Sequence, residues 1–186
     1  MLIVEYHAEW VSQFEKIKEK LSEGISGLPV HIEHVGSTAV PGLAAKPIID
    51  IDIVYHEATD FKRIKDGLLT LGYAHKGNQG IKDREVFKRT GQKEDEILDK
   101  TAHHLYVCSY DCEELQRHIL FRDYLRNHEM AKIFYQNLKY DIAREAGNDR
   151  KTYAGIKELK AGSFIHYIAE LSKRDKSGIS SLPGIH

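Results

Sequence analysis

Residues 31–54 read HIEHVGSTAVPGLAAKPIIDIDIV. Val30, Ile32 and His34 alternate with His31, Glu33 and Val35, which predicts a strand running into Gly36. Ser37 to Ala45 is rich in small residues and broken by Pro41-Gly42, so it reads as a loop with room for one helical turn. A second strand follows from Ile48 to Tyr55, and its nearly continuous apolar character predicts a position inside a sheet. Two carboxylates interrupt it. Residues i and i+2 of a strand share a face, so Asp50 and Asp52 project together while Ile49, Ile51 and Ile53 fill the other side.

Two like charges side by side repel unless something cationic neutralises them. A divalent ion, Mg²⁺ or Mn²⁺, is one solution, since hard cations take carboxylate and phosphate oxygens. The amides and hydroxyl of Gly36-Ser37 can cradle a phosphate, and Lys46 can meet the same anion. A lone D-x-D on a strand is often only a charged solvent face. Here the flanking isoleucines argue for an enclosed position.

Outward from this stretch, Trp10, Phe14, Ile17 and Leu21 recur at helical spacing up to Gly24. Thr59 or Asp60 is positioned to cap a helix carrying Phe61, Ile64, Leu68 and Leu71, closed by Gly72. Short strands are predicted at Tyr73–Lys76, Arg84–Thr90 and Ala102–Cys108, with a polar, mobile loop over Gly91–Lys100. From Glu113 to Leu171 the pattern turns helical, with breaks near His128 and at Gly147-Asn148-Asp149. The expected organisation is α+β: one domain over 1–175, a mixed sheet over about 28–110, helices over about 112–172, and a flexible tail at 176–186.

The 186 residues are 41% hydrophobic and 30% charged, an ordinary globular balance. A formal net charge of -1 argues against nucleic acid as a partner. No apolar run approaches a membrane span, and the N-terminus lacks a signal-peptide pattern. Two cysteines, Cys108 and Cys112, make no disulfide framework, so a reducing, cytoplasmic setting is expected. With His103 and His104 they match no zinc-finger spacing, and strand alternation sends those two histidines to opposite faces.

The run EHVGSTAVPGLAAKPIIDIDI resembles the GrpB family of small bacterial proteins. Arg84-Glu85-Val86-Phe87, His104-Leu105-Tyr106-Val107, Phe121-Arg122-Asp123-Tyr124-Leu125, Tyr135 with Leu138-Lys139, and Tyr153 with Lys157 continue the resemblance. That family is similar in turn to the polymerase-beta-like nucleotidyltransferases. The resemblance implies a nucleotidyltransferase-like mixed sheet with a helical C-terminal section. It implies a Gly-Ser turn, a D-x-D pair, a third carboxylate on a later strand, and two Mg²⁺ ions clamping a nucleoside triphosphate. Gly36, Ser37 and Thr38 stand in register as phosphate ligands, and Asp50 and Asp52 as catalytic metal ligands.

For the third carboxylate the later strands offer only Glu85, or an imidazole at His104. Imidazole suits Mn²⁺ or Zn²⁺ better than Mg²⁺. A carboxylate beside the pair favours catalysis, an imidazole favours binding. Lys46, Arg84 and Arg122 are candidates for phosphate neutralisation. For Arg122 the packing role, with a partner such as Asp123, is favoured. His34 reads equally as a phosphate donor or as a hydrogen-bonded core residue. Lys139, Tyr153 and Lys157 lie on helices that can cover the cleft; Lys157 and Lys160 read as solvated, and Tyr135, Tyr140 and Tyr153 as packing. Two functions remain: metal-dependent nucleotidyl transfer, or a degenerate module binding a phosphate-bearing small molecule or a protein. GrpB-like segments fused to dephospho-coenzyme A kinase fit the second.

Overall fold

The computed structural model describes residues 2–147 and 149–178. Five strands form one mixed sheet in the order β1-β2-β5-β4-β3: β1 (Val30–Val35), β2 (Ile49–Tyr55), β3 (Tyr73–His75), β4 (Arg84–Arg89) and β5 (His103–Ser109). β2 runs antiparallel to β1 and parallel to β5, and β4 runs antiparallel to both β5 and β3. The acidic strand is therefore interior, paired on both edges.

One face of the sheet is dry. Ile49, Ile51 and Ile53 are fully or nearly fully buried against α1 (Glu9–Gly24) and α2 (Ala58–Thr70). α1 contributes Trp10, Phe14, Ile17 and Leu21, and α2 contributes Ile64 and Leu68. Each such side chain stabilises the fold by roughly 1.5–3 kcal/mol through burial. Gly67 lets the two helices approach, because a Cβ there would lie 2.1 Å from the Gly24 carbonyl oxygen.

The other face is covered by α4 (Glu113–Asn127), α5 (Glu129–Glu145) and α6 (Arg150–Gly178). Their own apolar cluster joins Leu125, Tyr135, Ile142, Tyr153 and Ala161 to Val40, Leu43 and Ala44. These helices leave a gap over the acidic end of β2. No helix among the described residues is long and apolar enough to cross a membrane.

Three expectations change. α2 starts at Ala58 after Glu57 with no side-chain cap, so neither Thr59 nor Asp60 caps it. The polar segment expected as a mobile loop contains α3 (Glu96–Lys100), whose first turn is fixed by Asp95 accepting from the amides of Ile97 and Leu98 at 2.9 Å. α6 continues to Gly178, beyond the expected limit near 172. Of the tail expected to be flexible, 179–186 lie outside the described residues.

Candidate functional site

Pairing register decides which side chains meet. Asp50 lies opposite Val35 of β1 and His104 of β5; Asp52 lies opposite Glu33 and Tyr106. Arg84 lies beside Cys108, on the same face. These residues share the side of the sheet covered by α4, α5 and α6. His34 lies opposite Ile51 and so points the other way, stacked on Phe14 at 4.6 Å between centroids. Its Nε2 contacts Thr38 Oγ1 at 3.0 Å, and that hydroxyl donates to the Ile48 carbonyl at 3.3 Å. Burial pushes His34 down to about 4 despite the nearby Asp50 charge, so it is a neutral core histidine. The phosphate-donor reading of His34 is corrected by register.

The cleft over Asp50 encloses about 520 Å³ and is lined by Gly36, Ser37, Thr38, Lys46, Arg84, His104, Tyr106 and residues of the covering helices. That volume suits a small organic ligand. Gly36 has φ +73°, and a Cβ there would lie 2.3 Å from Asp50 Oδ2, so the turn and the carboxylate are packed against each other. Val40 closes a single 3₁₀ turn at Ser37–Ala39 through its amide to Ser37 O.

Two arginines of α4 anchor this turn from outside. Arg122 Nη1 donates to Glu33 Oε2 at 2.7 Å and to the His34 carbonyl at 2.9 Å, and its Nε donates to Asp123. Arg126 donates twice to the Ala39 carbonyl. Arg122 is absent from the cleft lining, so its donors hold the turn and a phosphate role for it is set aside.

Three charged or titratable lining residues from α4, Glu114, Arg117 and His118, went unassigned in the sequence reading. Glu114 and His118 sit one turn apart on α4, so they share a helix face. His118 Nδ1 lies 2.9 Å from Asp52 Oδ2 and its Nε2 lies 3.1 Å from Glu114 Oε1. Glu114 also meets Arg117, and Arg84 at 3.9 Å. Burial opposes the charge on His118, but its interactions with the acceptor carboxylates of Asp52 and Glu114 outweigh it and raise the imidazole to about 9. Burial likewise opposes ionisation of Glu114, and its His118 and Arg117 partners overcome this to hold it near 2.

Lys139, almost fully buried, donates to Ser37 Oγ at 3.1 Å and to the Ala44 carbonyl, with its ammonium 4.9 Å from the Tyr135 ring centroid. Burial, and then the charge of Lys157, push it well below the ordinary lysine range. Lys157 lines the cleft as well, which corrects its solvated reading; Tyr135 first, then Tyr153 and Asp50, hold it charged against burial. Lys46 lies 4.1 Å over the Tyr153 ring. Sequence signals existed for two of these groups. Lys139 stands between Tyr135 and Ile142 at spacings of four and three, a core position for a charge. Glu114 and His118 form a Glu-x-x-x-His pair following the last strand.

Glu85 faces away, opposite Val107, and pairs with His75 at 2.5 Å. No carboxylate of β4 or β5 joins the aspartates; the neighbour of Asp50 is His104, with Nδ1 2.9 Å from Oδ1. The donor set does not fit a divalent ion as it stands. One oxygen of each aspartate is engaged by an imidazole, and among the described residues no group of three His, Cys, Asp or Glu side chains is arranged to hold a metal. Asp52 Oδ1 is buried without a partner, as is Arg84 Nε.

Residues 1–170 match the family described as GrpB protein, and the chain belongs to that family. It is 31% identical over 182 residues to the UPF0157 protein YqkA of Bacillus subtilis, covering 98% of this chain and 50% of that protein, so it spans half of that relative's length. The crystal structure of conserved protein GrpB from Enterococcus faecalis superposes with a TM-score of 0.75 at 28% identity, over 94% of this chain and 98% of that one. Cid1 in complex with the UTP analogue UMPNPP superposes with a TM-score of 0.53 at 13% identity, over 76% of this chain and 43% of Cid1. The fold is therefore nucleotidyltransferase-like.

Proposed function

We propose, from membership of the GrpB family and from the cleft itself, that this protein binds a nucleotide or similar phosphate-bearing small molecule. The observation that carries the reading is the Gly36-Ser37 turn. It opens into the cleft with no room for a side chain at Gly36, and Lys139 bonds its hydroxyl. Lys46, Arg84, Arg117 and Lys157 line the cleft against Asp50, Glu114 and Glu158, an excess of cationic groups suited to an anion. Burial first, and then the charges of Lys157 and Arg150, depress the Lys46 pKa, and an anion between Lys46 and Lys157 would relieve their repulsion.

An imidazole rather than a carboxylate beside Asp50 favours binding over nucleotidyl transfer. Metal-dependent transfer through Asp50, Asp52 and His104 retains one supporting observation, the unpartnered Asp52 Oδ1. The test is calorimetric titration of the wild type, Ser37→Ala and Lys157→Met with ATP, UTP and pyrophosphate. Binding weakened at least tenfold in both variants is expected. Wild-type affinity retained in both would remove the reading.

A further inference from the structure

A strand that carries two adjacent carboxylates into a covered cleft needs a cation. In this chain the cation comes from α4. Both ring nitrogens of His118 face carboxylate oxygens, Nδ1 at 2.9 Å from Asp52 Oδ2 and Nε2 at 3.1 Å from Glu114 Oε1. An ionised carboxylate only accepts hydrogen bonds, so the Nδ1 hydrogen bond to Asp52 and the close approach of Nε2 to Glu114 both favour the imidazolium form of the ring. It is three-quarters buried, and the Asp52 side chain is completely so. Neither partner is free to turn into solvent.

We infer that His118 is the resident cation of the D-x-D floor, so that the cleft takes its phosphate-bearing ligand without a divalent metal ion. Charge balance supports this. Asp50, Asp52 and Glu114 are the carboxylates at this end of the cleft. His118 neutralises Asp52 and bridges to Glu114, while Arg117 and Arg84 also approach Glu114. Asp52 and Glu114 together meet three cations before any ion arrives, while Asp50 meets none of the three. His104 occupies the remaining flank, on Asp50 Oδ1. A divalent ion bridging the aspartates would have to displace an imidazole from each and would sit against the charge of His118 in a setting of low dielectric. The second oxygen of Asp52, Oδ1, has no solvent exposure through which an ion's water shell could reach it, and the second oxygen of Asp50, Oδ2, lies against the Gly36 turn.

His118 also has little freedom to move aside. Its helix is fixed to the sheet by Arg122, through Glu33 and the His34 carbonyl, and to the turn after β1 by Arg126, through the Ala39 carbonyl. With Asp52 and Glu114 already neutralised, Lys46 and Lys157 are left to meet phosphate oxygens at the other wall.

Manganese provides the test, read by the free-ion electron paramagnetic resonance signal during titration of the full chain. Wild type is expected to take up no stoichiometric Mn²⁺. His118→Gln keeps a polar side chain of similar reach without the fixed charge, and it is expected to bind Mn²⁺ at least tenfold more tightly than wild type. One equivalent bound by wild type and lost in Asp50→Asn would overturn the inference. So would a folded His118→Gln protein with no gain in affinity; if that variant does not fold, the wild-type titration decides alone. The ligand arm rests on the phosphate-binding reading: the ATP-induced rise in melting temperature should be equal in EDTA and in MgCl₂, and a rise that appears only with Mg²⁺ would also overturn the inference. If ATP gives no rise in either, the binding reading fails, while the manganese titration still decides this one.

Discussion

The two faces of β2 lie on the same seven residues and are stabilised in different ways. On one face Ile49, Ile51 and Ile53 pack into a cluster in which any apolar neighbour of suitable volume contributes. On the other, Asp52 is as completely buried as the isoleucines, and its stability depends on one partner, His118, brought from 66 residues away. The dry face tolerates gradual change. At Asp52 the other face is all or nothing, because removing its partner leaves a buried charge with no substitute.

The largest expected effect tests this asymmetry directly. His118→Leu should destabilise the protein by about 3–5 kcal/mol, since it leaves Asp52 buried and unpaired. Ile51→Ala should cost about 2–5 kcal/mol through the cavity it opens. The two losses overlap in size but differ in rescue. Adding Asp52→Asn to His118→Leu removes the stranded charge and should recover part of the loss. The same Asp52→Asn added to Ile51→Ala should recover nothing. Urea unfolding of the four proteins measures this; equal responses in both backgrounds would erase the distinction between the faces.

A second, smaller effect is in pH. His118 rises from its ordinary 6.5 to about 9 in the folded protein. The folded state thus holds a proton that the unfolded chain has released. Stability from this group is fully present below pH 6.5 and is lost as pH rises through about 9, by something on the order of 1–3 kcal/mol. His34, on the dry face, works in the opposite direction. Its value falls to about 4, so its contribution is lost as pH drops from 6.5 through 4. Subtracting a His118→Gln stability profile from the wild-type profile isolates the alkaline part from Cys112, which is pushed down to about 6 by its Cys108 partner. A difference that stays flat between pH 6.5 and 9 would contradict the charged ring.

The contrast also explains what could be read from the chain. Strand periodicity placed the isoleucines and both aspartates correctly, because period-two alternation is a local property. His34 carried the same parity information, sharing its phase with Ile32, yet its chemistry drew it toward the phosphate site. α3 was hidden in a charged run, although Asp95 followed by Ile97 and Leu98 is a helix-cap signal. Glu114, Arg117 and His118 were harder. α4 is covered by the sheet on one side and α6 on another, so it lacks a single apolar stripe. Nothing local in residues 113–127 points to Asp52. Lys157 read as solvated because its neighbours in sequence are exposed, whereas its partners Tyr135 and Asp50 lie on other elements. The sheet and the Gly-Ser turn are encoded in neighbouring residues; the charge compensation is encoded only in the fold.

The smallest expected effect lies within the wet face. Asp50 and Asp52 look equivalent in the sequence, but the Asp50 side chain is 32% exposed and its partner His104 is 52% exposed, against 0% for Asp52. Water can solvate Asp50 whenever His104 turns away, so their pair should behave as a surface ion pair worth less than about 1 kcal/mol. Asn is the right replacement at both positions because it keeps the shape; at Asp50 this matters, since the carboxylate is packed against the Gly36 turn. Asp50→Asn should therefore shift stability by less than about 1 kcal/mol in either direction, with relief of repulsion from Asp52 offsetting the lost pair. Asp52→Asn should cost more, because His118 then loses one of the two carboxylates that hold it charged in a buried position. Parallel urea unfolding of the two variants at neutral pH gives the comparison. If Asp50→Asn costs as much as Asp52→Asn, the two aspartates act as one unit and exposure has no part in separating them.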